Sequence, residues 1–266
     1  MRGKVAAGAG IAGMGLWAAR LLWVDKQVGR LTHQWAEHNA VCMQQWANNA
    51  PTVLALGDSS VQGVGAKRIE ECFVSLFAAA VQAELEAPLE LLNLSISGEV
   101  MPTLPVRQLT ALDGIKQRRP GWQPDITIVC VGSNDVMNEN TTVERFTYCT
   151  KEVSEGLPKG SFVANIPSFG VMPQEERAAE FSRILEDICI SDGHHIVDIR
   201  GFTSSLGTAD YALRNHAADL FHPNTKAYTQ WARLFFEKWA EVSGHPNAVF
   251  APHIFDLSDA SDIVVA

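Results

Sequence analysis

Thr52-Val53-Leu54-Ala55-Leu56-Gly57-Asp58-Ser59-Ser60, followed closely by Gly63-Val64-Gly65, decides how this chain is read. The apolar run 52–56 is continuous rather than alternating, the pattern of a parallel strand covered on both faces. Four further runs repeat it, at 89–94, 126–131, 162–166 and 195–199. Helical patterns lie between them, over 70–86, 104–116, 142–155 and 174–190. A last helix is expected after Pro223, with Tyr228, Trp231, Phe235, Trp239 and Val242 on one face. Strand alternating with helix predicts an α/β fold, a three-layer α/β/α sandwich on a mostly parallel five-stranded sheet.

Upstream, Arg2 and Lys4 precede an apolar run rich in Gly and Ala over 5–19, which resumes after Arg20 as Leu21-Leu22-Trp23-Val24. A positive start before an apolar stretch fits a signal peptide or an uncleaved anchor. Twenty such residues, rising about 1.5 Å each, cover roughly the 30 Å hydrocarbon core. No small-x-small cleavage site follows, so a membrane anchor over 1–24 is the preferred reading. The alternative is an N-terminal helix packed on the domain. An anchored domain is expected on the extracytoplasmic face, although five unpaired cysteines fit the reducing cytoplasmic side. Residues 25–50 read as an amphipathic linker helix carrying Val28, Leu31, Trp35, Cys42 and Trp46, and 51–243 as the globular domain. Residues 244–266, with Pro246, Pro252, Asp256, Asp259 and Asp262, read as an acidic, loosely packed extension.

With 47% hydrophobic residues among 266, the chain can bury a full core. A net charge of −9 without a clustered basic patch excludes a nucleic-acid partner, because that binding rests on Lys and Arg neutralising phosphates. The five cysteines are widely spaced, odd in number and without a CxxC pair. They are expected to be buried apolar residues rather than zinc ligands or a disulfide framework. No group of histidines has metal-ligand spacing, and no metal is expected. The 57–65 loop lacks the Gly-Lys-Ser/Thr of a P-loop and the third glycine of a dinucleotide fingerprint, so no cofactor is expected either.

In an open parallel sheet, ligands sit beyond the carboxyl ends of the strands. The first strand ends in Gly57-Asp58-Ser59-Ser60, the second in Asn93-Leu94-Ser95-Ile96-Ser97-Gly98, the third in Gly132-Ser133-Asn134-Asp135. Asp219-Leu220-Phe221-His222-Pro223 precedes the last helix. Each block alone is a common turn or a helix cap. Their joint order carries the signal.

In that order, the blocks resemble the SGNH/GDSL hydrolase family over about 52–242. Gly57-Asp58-Ser59 matches its first block, Gly98 its second, Asn134 its third, and Asp219 with His222 the D-x-x-H of its last. Ser60 departs from the pattern, standing where many members carry leucine. The resemblance implies an SGNH hydrolase domain over 51–243, flavodoxin-like in its layering. It also implies a serine esterase that cleaves carboxylic esters through an acyl-enzyme, without cofactor. Ser59 would be the nucleophile, His222 its base, and Asp219 the carboxylate that orients the imidazole. The backbone N–H groups of Ser59 and Gly98 and the side-chain amide of Asn134 would form the oxyanion hole. Small-molecule, lipid and glycan esters all suit the family, and an anchor would favour lipid or cell-envelope substrates. His216, three residues before Asp219, is the rival base, whereas His194 and His195 open a strand at the wrong end. The alternative from another class is a membrane-tethered binding or scaffold protein that kept the fold without turnover.

Overall fold

A computed structural model of the protein describes residues 2–45, 50–207, 210 and 214–252, with the backbone alone for 2–18 and 45. Five strands form one sheet: β1 (Thr52–Gly57), β2 (Glu90–Asn93), β3 (Ile126–Cys130), β4 (Phe162–Ala164) and β5 (His195–Val197). Their order is β2-β1-β3-β4-β5 and every pairing is parallel. The mostly parallel sheet read from the sequence is thus parallel throughout. The nine helices used below are α1 (Arg2–Gln45), α2 (Ser59–Gln62), α3 (Phe73–Leu85), α4 (Thr110–Arg118), α5 (Ser133–Met137), α6 (Val143–Gly156), α7 (Glu175–Ser191), α8 (Ile199–Ser205) and α9 (Thr225–Val242).

Side chains alternate across a strand, so β1 serves two cores. Val53 and Ala55 point to the face covered by α1, α3 and α9, where Leu31, Trp35, Phe73, Phe77, Tyr228 and Phe235 are buried. Leu54 and Leu56 point to the face covered by α4, α6 and α7, with Leu112, Phe146, Phe181 and Leu185. Phe146 and Phe181 stack at 4.1 Å, and Phe73 and Phe235 at 5.2 Å. Full burial of each such ring contributes about 1.5–3 kcal/mol. Of the face expected on the last helix, Tyr228, Trp231, Phe235 and Trp239 are buried, and Val242, its last residue, is exposed. All five cysteines are buried thiols.

Helix boundaries shift where the backbone tightens. The pattern at 70–86 resolves into a 3₁₀ turn, Ile69–Glu71, followed by α3. That at 104–116 opens with a π-helical turn, Pro105–Leu109, before α4. The three short helices α2, α5 and α8 are not among the predicted elements, each too brief to show a helical period, and α8 begins at Ile199, the last residue of the strand expected at 195–199.

At its N-terminal end α1 is one 44-residue helix. Its later half closes the exposed edge of β2, the place where unpaired backbone groups need cover. Asn39 Nδ2 donates to Asn93 O at 2.6 Å and its Oδ1 accepts from Asn93 N at 3.0 Å, so one amide side chain imitates a neighbouring strand. His38 Nε2 meets Leu91 O at 2.8 Å. The membrane anchor expected over 1–24 finds no support here: among the described residues no helix is long and apolar enough to cross a membrane. From Ala19 onward the helix carries Arg20, Asp25, Lys26 and Arg30. The side chains of 1–18 lie outside the described residues, as do Trp46 and the acidic series 256–262.

Candidate active site

β1 ends at Gly57, and the chain turns at once into α2. Asp58 caps that helix: its Oδ1 accepts from Ser60 N at 2.9 Å and from Ser60 Oγ at 2.7 Å. The hydroxyl at the departure from the family pattern is therefore engaged by the cap. Burial pushes the Asp58 carboxyl above its usual range, although both Ser60 bonds and the His222 ring oppose the shift. Gly57 has φ +140°, and a Cβ there would sit 2.0 Å from Cys130 O. Only glycine lets β1 turn this close to β3. Gln108, on the π-helical turn, clamps the same residue: its Oε1 accepts from Gly57 N and its Nε2 donates to Gly57 O, both at 2.8 Å.

Ser59 is the first residue of α2. Its Oγ lies 2.7 Å from His222 Nε2, and His222 Nδ1 lies 2.5 Å from Asp219 Oδ2. Asp219 Oδ1 accepts from the backbone N–H groups of Phe221 and His222, each at 3.0 Å. Burial works against ionisation of Asp219, but the imidazole and the two N–H groups outweigh it and hold the carboxyl below its usual range. The result is an unbroken line from hydroxyl to ring to carboxylate, the arrangement that activates a serine.

Asn134 stands in the first turn of α5, after Gly132. Its Nδ2 donates to Glu99 O at 2.9 Å, which uses one of its two hydrogens. Gly98 lies in an exposed turn at φ +77°, one residue before that carbonyl. Asn134 lines the cavity beside Ser59 and Gly98 does not. His216 also lines the cavity, but its backbone bridges to Pro223 while His222 faces Ser59. His194 meets Ser154 O at 2.9 Å, at the start of β5 and remote from the site.

The cavity beside Ser59 has a volume of about 560 Å³. Its far wall is Pro167 to Met172, after β4, together with Phe202, Thr203 and Leu206 from α8 and its end. Sequence reasoning missed this wall. The rule that placed ligands beyond strand ends was informative for the loops after β4 and β5 too, but those loops hold no motif.

The family model of the GDSL-like lipase/acylhydrolase family matches residues 55–230. This chain belongs to that family. Its fold is similar to that of an alpha/beta hydrolase from the metagenome of Lake Arreo, Spain, at 19% identity and TM-score 0.54, covering 74% of this chain and 98% of that one. An acetylxylan esterase from Geobacillus stearothermophilus is similar at 18% identity and TM-score 0.53, covering 71% and 93%. A lipase/acylhydrolase from Enterococcus faecalis is similar at 16% identity and TM-score 0.55, covering 72% and 96%. No curated protein sequence matches the chain. Among the described residues no cluster of His, Cys, Asp and Glu could hold a metal ion.

Proposed function

We propose that the protein hydrolyses carboxylic esters through an acyl-enzyme on Ser59. The observation that carries this reading is the relay from Ser59 Oγ to His222 at 2.7 Å and on to Asp219 at 2.5 Å, opening on a cavity. His222 Nε2 takes the hydroxyl proton as Oγ bonds to the ester carbon. The ring is then an imidazolium, which ionised Asp219 stabilises. Negative charge gathers on the carbonyl oxygen, where the second Nδ2 hydrogen of Asn134 and the N–H groups of Ser59 and Gly98 are the assigned donors. Collapse breaks the bond to the alcohol, whose oxygen receives the proton from His222. Water then repeats the sequence on the acyl-enzyme and frees Ser59 with the carboxylic acid. For Gly98 the support is its place in the family pattern alone.

A fluorophosphonate probe tests this directly. It should label the protein, and Ser59→Ala should lose both the label and turnover of p-nitrophenyl butanoate. Labelling that persists in Ser59→Ala refutes the assignment.

A further inference from the structure

We propose that the preferred substrate is an ester of a medium-chain fatty acid, its acyl chain lying in the cavity bounded by the 167–172 loop, α8 and the 220–223 loop. This rests on the hydrolase reading above. Space is the first argument. A cavity of about 560 Å³ falls in the range of roughly 300–1,000 Å³ that holds a drug-sized ligand of many heavy atoms. An acetyl group brings three and would leave most of the room empty.

The lining is the second. Phe169, Met172, Phe202, Leu206, Phe221 and Trp231 present carbon to this space. Three polar side chains of the wall, Ser168, Thr203 and Glu175, are engaged in holding it, while Ser204 also lines the space. Ser168 Oγ accepts from Gly170 N at 3.0 Å, Thr203 Oγ1 accepts from Ser168 N at 2.8 Å, and Glu175 binds Arg200 and the N–H of Phe169. A sugar needs partners for its hydroxyls, and a buried hydroxyl without one is disfavoured. An alkyl chain needs none.

The mouth gives the third argument. Val171 is 80% exposed and Leu220 is 51% exposed, on opposite loops. Leu220 sits at φ +61°, a conformation that glycine adopts without strain. A leucine kept there, facing water at the entrance, adds apolar surface where an alkyl chain must enter.

Which half of the ester lies inside follows from the reaction. The alcohol departs first, while the acyl group stays bonded to Ser59 until water arrives. The part lined by the buried Ala227 and Trp231 of α9 is therefore assigned to the acyl chain, and the side of the exposed Val171 and Leu220 to the departing alcohol.

The test uses the full chain and p-nitrophenyl acetate, butanoate, hexanoate and octanoate. Burying each methylene should raise kcat/KM about fourfold, hence about 10²-fold from acetate to hexanoate. Ethyl hexanoate and hexyl acetate are isomers, and the former should be the better substrate. Ala227→Leu fills the part lined by α9 and should lower the hexanoate-to-acetate ratio at least tenfold. A flat or falling series, preference for hexyl acetate, or an unchanged ratio in folded Ala227→Leu overturns the acyl cavity while leaving the hydrolase intact. Should Ala227→Leu not fold, the isomer pair decides with the unaltered protein. Absence of turnover on every ester, together with no fluorophosphonate label, overturns the hydrolase reading and this inference with it.

Discussion

Gly65→Ala should damage catalysis although residue 65 touches no substrate. Gly65 has φ +103°, and a Cβ there would lie 2.1 Å from Pro223 O and 3.1 Å from Ala217 Cβ. Carbon does not approach a carbonyl oxygen closer than 3.0 Å, so one side must give. The Gly65 side is held, because Val64 N donates to Ser59 O at 2.9 Å and Val64 O accepts from Tyr228 Oη at 2.6 Å. The Pro223 side is the loop that carries His222, exposed at Ala218 and Leu220. It has to retreat by roughly 1 Å, and a misplacement of that size costs about 10²-fold in rate. The Ser59–His222 distance, now 2.7 Å, would leave hydrogen-bond range.

Gly65→Ala should therefore lower kcat about 10²-fold with a smaller change in KM. Alanine at this φ also carries backbone strain of about 1–3 kcal/mol, so the melting temperature should fall by several degrees. Gly193→Ala separates the two effects. It has φ +83° with nothing within 4 Å of the added Cβ, in the turn between α7 and β5. It should lose stability and keep kcat. Both variants are read by steady-state kinetics on p-nitrophenyl butanoate and by thermal melting of the same preparations. A folded Gly65→Ala with kcat near that of the unaltered protein refutes the idea that this glycine sets the spacing of serine and histidine.

Asn134→Ala should lower kcat by about 10²–10³-fold with KM little changed; a lowered melting point with normal kcat would make Asn134 a structural residue only. His222→Ala should abolish turnover on p-nitrophenyl butanoate and His216→Ala should leave most of it, whereas the reverse would move the base to residue 216. Asp219→Asn should cost about 10³–10⁴-fold in kcat by upsetting the imidazole tautomer, and a loss under tenfold would remove Asp219 from the relay. Burial lifts Asp135 to about 7, so the folded protein holds a proton that the unfolded chain has released. Stability from this group is present below the unfolded value near pH 4 and falls as pH rises toward 7. Asp135→Asn should flatten that decline between pH 4 and 7 in chemical denaturation, and parallel curves for the two proteins would refute it.

The strand ends were legible because parallel strands buried on both faces are continuous apolar runs, and the residues that follow each run are neighbours in sequence. Gly57-Asp58-Ser59 and Asn134 could be read that way, whereas Asp219 and His222, which follow no strand run, are legible only through the resemblance to the family. The cavity wall could not. Phe169, Met172 and Phe202 are ordinary apolar residues whose role depends on where two loops meet, and no local pattern tells a lining phenylalanine from a core one. Gln108 read as one position in a helix. Its amide in fact pairs both backbone groups of Gly57, a contact across 51 residues that periodicity cannot register. The N-terminal run is hard to read from sequence for a related reason. Hydrophobic composition alone does not distinguish a helix seeking lipid from one whose continuation caps a sheet edge, as Asn39 does on β2.

The three-residue step from Asp219 to His222 has a physical meaning that the motif conceals. For both side chains to meet within one short turn, the backbone must reverse sharply. Leu220 supplies the reversal at φ +61°, at a strain of order 1–2 kcal/mol for a non-glycine residue. Fixed partners offset that strain. Leu220 N donates to Ala217 O at 3.0 Å and Ala217 N to His222 O at 2.8 Å, which closes the loop on itself. Asn224, the cap of α9, holds the base of the loop by donating to Arg214 O and His216 O at 2.9 and 3.1 Å. The imidazole is thus aimed by its own loop, whose base is fastened to a long helix buried against the sheet. Gly65 then sets how near that loop comes to Ser59. Serine and histidine, 163 residues apart, meet at 2.7 Å because one position lacks a side chain and another carries one where glycine would be easier.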